Sequence, residues 1–414
     1  MTMNPASTHF QAVPNTANSY FDRVRMALPR IARTRPTRTG LTAYPSVESV
    51  IEDLQPSNPV FCIRPKELRE SVKRFEPFPG RTLYAVKCNA HPLVLETLFD
   101  AGVTDFDVAS LDEIRLVDGL FGKAAGQFFN NPAKSRPAVR LASEDFGIRF
   151  YTVDCVEELE KVLEETRRGD DVIIAVRLAT PAKEARYVLS TKFGAQPDEA
   201  ARILNIIRDC GLKAGISFHV GSQCLAPQSF SAAVTLAGRI VSNAGVPIRV
   251  LNIGGGFPAP YPGDKPPGLE TYFSHIIRGW RSLHLPPGCM LLCEPGRSLV
   301  ATAGTVILQV VMRRDRSLYL NDGVFGTLQE LGHPKERRPV RLVRPGYQPS
   351  GRTLEFKIYG PTCDSNDVLG APFLLPEDVR EGDWIEVGMM GAYSLSMRTH
   401  FNGFFTDNIV ALAA

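Results

Sequence analysis

The chain has 414 residues, 44% of them hydrophobic and 22% charged, with a formal net charge of +3. This composition can bury a large core, and the net charge is too small for the size of the chain to indicate a nucleic-acid partner. No apolar run approaches the ~20 residues of a membrane-spanning helix. The eight cysteines form no CxxC pair and the histidines show no metal-ligand spacing. We therefore expect a cytoplasmic protein without a metal site or a membrane partner.

The first forty residues differ in composition from the rest. They contain six Arg, no Lys and one acid, Asp22. An Arg-rich, acid-poor segment is typical of an organelle transit peptide. We favour the alternative of a disordered or loosely docked extension, with a candidate short helix at residues 20–32. The extension is taken as residues 1–56, part of which is expected to join the β-rich domain.

From Pro59 onward, short apolar runs alternate with helical patterns. Residues 59–63 predict a strand and residues 65–75 a helix, and further helices are expected at 92–100, 156–166 and 198–210. Eight more runs predict strands at residues 83–87, 106–109, 127–129, 149–153, 172–178, 215–220, 250–253 and 290–293. Strands that alternate with helices indicate a parallel sheet, and eight of them match a (β/α)8 barrel, here assigned to residues 57–299.

A doubly wound open sheet is the alternative to the barrel. Such a sheet normally carries its Gly-rich phosphate turn after the first strand. Here the glycines, Gly254 to Gly256, follow a late strand, which favours the barrel. After Ser298 the pattern becomes β-rich and is broken by Gly and Pro, which predicts a C-terminal all-β domain at residues 300–414.

Several polar residues stand at the ends of predicted barrel strands, where a barrel of this type places its chemistry. Lys87 ends the first strand; a lysine that merely extends its amine to solvent is the alternative. Gly254 to Gly256 allow backbone N–H groups to approach an anion, although a tight turn would also explain them. His219 could stack on an aromatic cofactor or be structural, and Ser222 could donate to a phosphate.

Two further stretches carry candidate groups. Glu294 and Arg297 end the last barrel strand: a carboxylate keeps a pyridine nitrogen protonated and a guanidinium suits a phosphate, but the two could also form a structural ion pair. Cys363 and Asp364 lie in a loop of the β-rich domain, where a turn-capping Asp beside an incidental thiol is the alternative. Tyr393 belongs to another Gly and aromatic loop.

An imine-forming lysine, a glycine cradle, a stacking histidine and an acid for a ring nitrogen are together what pyridoxal 5′-phosphate requires. The set resembles the fold type III pyridoxal-phosphate decarboxylases, which have an alanine racemase-like barrel, and within them the ornithine decarboxylase-like branch with lysine, arginine and diaminopimelate decarboxylases. The matching motifs are YAVKCN at 84–89, FDVAS at 106–110, LSTKFG at 189–194, SFHVGS at 217–222, NIGGGFP at 252–258, CEPGRSLV at 293–300, NDGVFG at 321–326, GPTCDSNDVL at 360–369, and GAY and FNGF near 391–404.

The resemblance implies a role for each matching residue. Lys87 would be the internal-aldimine lysine, flanked by the acids Asp107 and Glu113, and Arg177 would lie near the cofactor ring. His219 would stack on the ring and Glu294 would pair with its nitrogen. The phosphate would be held by Ser222, Gly254, Gly255, Gly256, Arg297 and Tyr393.

The resemblance also implies a homodimer with shared active sites. Cys363 and Asp364 would reach into the partner's site, and Cys363 would reprotonate the α-carbon after CO2 leaves. The implied activity is α-decarboxylation of a cationic amino acid. The alternatives are a catalytically silent regulatory homologue and a racemase of the same barrel family. Glu294 argues against the racemase, because racemases of this fold use Arg there.

The predicted substrate site departs from the ornithine-specific pattern. The Asp expected about a dozen residues after the NDG motif falls near Pro334, and the nearest acids are Glu330 and Glu336. Phe325 stands where a tyrosine is usual. Asp364, rather than Glu, after the cysteine argues against diaminopimelate. We expect Asp364, Glu330 and Phe325 to contact substrate, and the sequence does not choose among ornithine, lysine, arginine, diaminobutyrate or a derivative.

Overall fold

The computed structural model describes residues 40–166, 171–181 and 184–413. The candidate helix at residues 20–32 lies outside the described residues. Within the described ranges, no helix is both long and apolar enough to span a bilayer.

Eight parallel strands close into a barrel, which confirms the predicted (β/α)8 fold. The barrel closes where the last strand pairs with the first, Leu292 opposite Arg81 and Cys293 opposite Thr82. Leu83, Phe128 and Phe150 are among the side chains that fill its interior. The barrel strands are Arg81–Ala85, Asp105–Val108, Gly126–Phe129, Phe150–Val153, Ile173–Leu178, Lys213–Phe218, Ile248–Asn252 and Met290–Cys293.

The helices around the barrel bury one face each and expose the other. In Val156–Glu165, for example, the buried residues include Leu159, Val162 and Leu163, at helical spacing. Several helices have proline in the first turn, where a missing N–H costs no hydrogen bond. The longer helices of this part are Pro65–Lys73, Pro92–Asp100, Leu111–Phe121, Arg136–Glu144, Val156–Glu165, Pro197–Asp209, Gln228–Ala244 and Leu269–Ser282.

Nine of the other strands in the described part of the chain form a second sheet. Two of them precede the barrel: Ala43–Tyr44 pairs with Ile409–Leu412, and Val60–Ile63 pairs with both Gly304–Arg314 and Ile409–Leu412. The strand at Val60–Ile63 therefore belongs to this sheet, whereas the sequence assigned residues from 57 onward to the barrel. The other strands are Ser317–Leu320, Val340–Val343, Thr353–Tyr359, Phe373–Pro376 and Trp384–Val387.

Helix Val47–Leu54 begins with a reciprocal cap between Ser46 and Ser49 and packs on the same sheet. Shorter turns join the larger elements. They are the helical turns Arg297–Val300 and Ser394–Met397 and the 3-10 turns Val86–Cys88, Gly122–Ala124, Ala301–Ala303, Gln329–Gly332 and Phe401–Gly403. Two further short strands, Ala185–Tyr187 and Ser222–Cys224, pair as a separate antiparallel sheet.

In two places a helical turn stands where the sequence pattern predicts β structure. The first barrel strand ends at Ala85, not Lys87, because Val86–Cys88 turns as a 3-10 helix. This turn carries Lys87 out of the strand. The β-rich pattern is predicted from residue 300 onward, but its first strand begins at Gly304, because the chain after Gly296 makes helical turns first. Apolar residues fill both turns, and the hydrophobic pattern therefore resembled a continued strand.

Candidate active site

The carboxyl ends of the barrel strands bring the sequence-predicted cofactor residues to one end of the barrel. Because all eight strands are parallel, the residues that follow them meet at the same rim. A cleft at this rim is lined by Ala85, Lys87, His219, Ser222, Gly255, Gly256, Phe257, Glu294, Gly296, Arg297 and Tyr393.

Lys87 is held by an acid from the neighbouring strand. Its Nζ donates to Oδ2 of Asp107 at 2.7 Å; the lysine side chain is 46% exposed and the aspartate 1% exposed. Burial lowers the pKa of Lys87, but the negative charges of Asp107 and Glu294 outweigh it and raise that pKa overall. The other oxygen of Asp107, Oδ1, is buried without a hydrogen-bond partner among the described residues. The amine is thus an ammonium that points into the cleft.

Glu113 contacts the backbone at the end of the strand that carries Asp107. Its Oε2 accepts a hydrogen bond from the backbone N–H of Ala109 at 2.7 Å, just after the strand that carries Asp107. Burial raises the pKa of Glu113, and the nearby charge of Asp107 adds to the effect. Glu113 thereby fixes the end of the strand that presents Asp107 to Lys87.

Glu294 is oriented by two amides. Asn252 donates to its Oε1 at 2.5 Å and Asn130 donates to the same oxygen at 2.7 Å. Burial raises the pKa of Glu294 to about 7, with a further rise from Asp107, against the lowering effect of Lys87 and Asn252. Because both amides bind Oε1, the second oxygen is left for a ligand. A carboxylate held in this way can stabilise a proton on a ring nitrogen.

His219 presents a neutral ring. Its Nδ1 accepts a hydrogen bond from the N–H of Gly221 at 3.0 Å, which places the proton on Nε2. Burial lowers the pKa of His219 well below its ordinary value, and the positive charges of Arg177 and Lys87 lower it further. Arg177 itself is partly buried, with its guanidinium carbon 5.8 Å from the ring centre of Phe193. A neutral imidazole suits stacking on an aromatic ligand.

The glycine run has no room for side chains. A Cβ on Gly254 would stand 2.2 Å from the carbonyl oxygen of Phe218, and one on Gly256 would stand 2.5 Å from that of Gly221. A Cβ on Gly255 would meet the carbonyl oxygen of Glu294 at 2.6 Å. Close approach of neighbouring backbone therefore accounts for the three glycines, and Gly255 and Gly256 also line the cleft beside Ser222.

Arg297 also lines the cleft, and its side chain is 4% exposed. Its Nε is 3.3 Å from Oγ of Ser222, and its Nη1 donates to the hydroxyl of Tyr261 at 2.9 Å. Its outer edge is paired with Glu330, at 2.8 Å from Nη1 to Oε2 and 2.6 Å from Nη2 to Oε1. The ring centre of Tyr393 is 4.9 Å from the guanidinium carbon.

The alternative of an ion pair between Glu294 and Arg297 is not what the structure has. Each is bound to other groups, Glu294 to amides and Arg297 to Glu330. Glu330, which the sequence predicted to contact substrate, is thus paired with Arg297. Among the described residues, no group of three or more His, Cys, Asp or Glu side chains could hold a metal ion.

Sequence reasoning missed Asn130, Asn252 and Tyr261 as parts of this site. Asn252 stood inside the quoted NIGGG motif, and its Oδ1 also accepts from the N–H of Gly254 at 3.0 Å. Its position at the end of a barrel strand was a usable signal. Asn130 and Tyr261 had no such motif around them.

The predicted substrate-side residues lie elsewhere on the surface. Cys363 is exposed, with its Sγ 3.7 Å from Oδ1 of Asn402, and the rings of Phe325 and Phe401 are 4.8 Å apart. Asp364 accepts from a backbone N–H two residues on. None of Cys363, Asp364 and Phe325 lines the Lys87 cleft.

One buried acid ties the loops of this surface together. Asp367 Oδ1 accepts from the N–H of Val324 at 2.9 Å, and its Oδ2 accepts from the N–H and hydroxyl of Thr362 at 3.0 and 2.7 Å. The Phe325 loop and the Cys363 loop are therefore fixed relative to each other.

The chemical groups that line the cleft fit pyridoxal phosphate. It offers an amine for an imine, an amide-oriented carboxylate for the ring nitrogen, and a neutral histidine for the ring face. Gly255, Gly256, Ser222 and Arg297 offer N–H and O–H donors to a phosphate at its other end.

Comparison with known proteins agrees with this fit. The family model described as "Pyridoxal-dependent decarboxylase, pyridoxal binding domain" matches residues 65–301. The ornithine decarboxylase of Schizosaccharomyces pombe is 32% identical over 357 residues, which cover 82% of this chain and 78% of that protein. The antizyme inhibitor 2 of Xenopus laevis is 30% identical over 367 residues, covering 82% and 76%.

Solved structures give the same family. The lysine/ornithine decarboxylase of Vibrio vulnificus, complexed with cadaverine, has a TM-score of 0.76 and 30% identity over 88% of this chain and 97% of that one. The arginine decarboxylase of Paramecium bursaria Chlorella virus has a TM-score of 0.78 and 26% identity, covering 88% and 98%. The chain therefore belongs to the fold type III pyridoxal-phosphate-dependent decarboxylases, in their ornithine decarboxylase-like branch.

Proposed function

We propose that this enzyme removes the α-carboxylate of a cationic amino acid, or of a derivative of one, at two active sites shared between the subunits of a homodimer. The observation that carries the proposal is the arrangement of Lys87, Asp107 and Glu294 at the barrel rim. Family relatives that act on ornithine, lysine and arginine support a basic substrate.

Each cleft residue has a chemical task in this proposal. Bound pyridoxal phosphate supplies the electron sink that makes loss of CO2 from an amino acid possible. Lys87 would hold the cofactor covalently, and Asp107 would hold the proton of the lysine amine. Glu294 would keep the ring nitrogen protonated, and His219 would cover one face of the ring. Arg177 would lie near the ring as a further positive charge.

The phosphate end and the protonation step use other residues. Ser222, Gly254 to Gly256, Arg297 and Tyr393 would bind the phosphate and fix the ring in place. Cys363 of one subunit would deliver a proton to the α-carbon in the other subunit's cleft. Its exposed position outside the cleft of its own chain is consistent with that role.

Shared sites predict complementation between two inactive variants. Equal amounts of Lys87→Ala and Cys363→Ala subunits, allowed to exchange, should regain roughly a quarter of wild-type CO2 release. Half of the dimers are then mixed, and each mixed dimer has one intact site out of two. The control is a mixture of Lys87→Ala with Glu294→Gln. Both residues belong to one cleft, so mixed dimers of that pair have no intact site. No recovery in the first mixture, with exchange demonstrated, would contradict shared sites.

Substrate choice follows from the missing second acid. Pro334 occupies the expected place of an aspartate, and Glu330 is bound by Arg297 and Arg338. Asp364 therefore remains as the carboxylate for a distal ammonium. We propose a relaxed selection for that ammonium rather than strict ornithine decarboxylation.

A substrate panel tests this proposal. Asp364→Asn should reduce kcat/KM for a diamino acid by about ten- to a hundredfold, the worth of one charge-assisted hydrogen bond. CO2 release would be measured with ornithine, lysine, arginine and diaminobutyrate, using wild type, Asp364→Asn and Glu330→Gln. Glu381→Gln, at an exposed position in the same β-rich domain, is the matched control. Turnover of ornithine alone, at full efficiency in both site variants, would refute the proposal.

A further inference from the structure

Protein side chains fix the guanidinium of Arg297 on two of its three donor directions. Its five N–H groups point in three directions, two of which present a pair of donors. The outer pair, on Nη1 and Nη2, is taken by Glu330, and the remaining hydrogen of Nη1 is taken by the Tyr261 hydroxyl. The other pair of donors, on Nε and Nη2, faces the cleft residue Ser222, and Nε donates to its Oγ at 3.3 Å.

Aromatic rings enclose the same guanidinium. The ring centres of Tyr187, Tyr261 and Tyr393 lie 5.4, 5.7 and 4.9 Å from its central carbon. The Arg297 side chain is 4% exposed and that of Glu330 is 10% exposed. Water therefore has little access to the pair, and the direction of the guanidinium is set by Glu330 and Tyr261.

Glu330 is shared between Arg297 and a second arginine. Arg338 donates to Oε2 of Glu330 at 2.9 Å and to Glu336 at 2.5 Å. Glu336 in turn accepts from Arg186 at 2.7 Å. Glu330 thus lies between two guanidiniums in a continuous series of ion pairs, which fixes its carboxylate in position.

We infer that Glu330 is a positioning residue for the phosphate: it holds Arg297 so that the Nε and Nη2 edge faces the phosphate-binding end of the cleft. The inference rests on the phosphate role of Arg297 in the proposed function. Glu330 would then affect binding of the cofactor phosphate, whereas the sequence predicted that it contacts the substrate.

The test compares two aldehydes that differ only in the phosphate. Pyridoxal phosphate and pyridoxal would be titrated into the cofactor-free protein, with binding followed by absorbance and tryptophan fluorescence. The variants are Glu330→Gln, which removes the charge, and Glu330→Asp, which keeps the charge but shortens the reach. Glu381→Gln is the control. We expect both Glu330 variants to bind pyridoxal phosphate at least about tenfold more weakly than wild type does. Their affinity for pyridoxal should stay within about twofold of wild type, because pyridoxal has no phosphate for Arg297 to bind.

Each other result overturns the inference. Equal weakening of both aldehydes would mean a general structural role, and unchanged affinities would mean no role in phosphate recognition. Tighter binding of pyridoxal phosphate by Glu330→Gln would mean that Glu330 competes with the phosphate. If Glu330→Gln does not fold, Glu330→Asp alone decides among these outcomes.

Inorganic phosphate separates this inference from the proposed function. Phosphate should raise the melting temperature of cofactor-free wild type and of Glu381→Gln, and raise it less in both Glu330 variants. A wild type that binds phosphate in this way but attaches neither aldehyde would refute the proposed function and leave the phosphate role of Glu330 standing. A phosphate effect equal in all four proteins would refute the role of Glu330.

Discussion

Replacing Lys87 by alanine should abolish covalent attachment of pyridoxal phosphate and reduce kcat by at least about 10³-fold, within the range for loss of a positioned proton-transfer group. The wild-type protein should absorb near ~420 nm with the cofactor bound, a property of this cofactor class, and borohydride should fix the cofactor to Lys87. Lys87→Arg keeps the positive charge beside Asp107 but has no amine for an imine, and it should fail in the same way.

The matched control for this prediction is Lys66→Ala, which removes an exposed lysine from the first turn of helix Pro65–Lys73. It should retain both the absorbance and the turnover of wild type. Peptide mapping after borohydride reduction would identify the attached lysine. A modified peptide that lacks Lys87, or turnover by Lys87→Arg near the wild-type rate, would contradict the assignment.

The barrel was predictable because its strands are short, buried and separated by helical patterns. Runs such as residues 172–178 and 290–293 correspond to observed strands within a residue or so. The boundaries at Lys87 and Val300 were not predictable, since apolar residues continue past the strand into turns whose shape depends on tertiary contacts. A Cβ on Gly391 would be 1.7 Å from the carbonyl oxygen of Val300, for example, and a hydrophobicity pattern does not carry that constraint.

The site was predictable where chemistry and strand ends coincide. Lys87, His219 and Glu294 each follow a strand, and the parallel barrel brings them to one rim. The partners that orient them were harder to find, because they are distant in sequence. Asn130 lies 164 residues before the Glu294 that it binds, and Glu330 lies 33 residues after Arg297. Spacing along the chain contains no signal for such pairs.

The substrate-side residues show a different limit. Cys363 and Phe325 were predicted from motifs, and the structure brings their loops together through Asp367. They stand outside the Lys87 cleft of the same chain, and a single chain therefore leaves that cleft without the acid that the resemblance assigns to it. A second copy that supplies these loops would complete the site, which is why the complementation experiment is informative.

Glu294→Gln should leave the fold intact and reduce kcat by about 10²- to 10³-fold, the usual loss when one preorganised electrostatic contact is removed. Glutamine has nearly the same shape and still offers an oxygen to Asn130 and Asn252, but it has no negative charge to hold a proton on the ring nitrogen. Binding of pyridoxal phosphate through Lys87 should persist, since that bond does not need the carboxylate. Loss of binding together with turnover would assign Glu294 a structural role.

The same substitution has a pH signature in the cofactor-free protein. Burial and Asp107 raise the pKa of Glu294 from 4.5 to about 7 in the folded state, so the folded protein binds the proton more tightly than the unfolded chain does. The stability from this group is fully present below pH 4.5 and is lost as the pH rises through about 7. The free energy of unfolding of wild type should therefore fall relative to Glu294→Gln by on the order of 1–3 kcal/mol between pH 5 and 8. Urea unfolding of both proteins across this range measures the difference, and a wild type that gains stability relative to the variant would show that the Glu294 carboxyl is not raised in pKa.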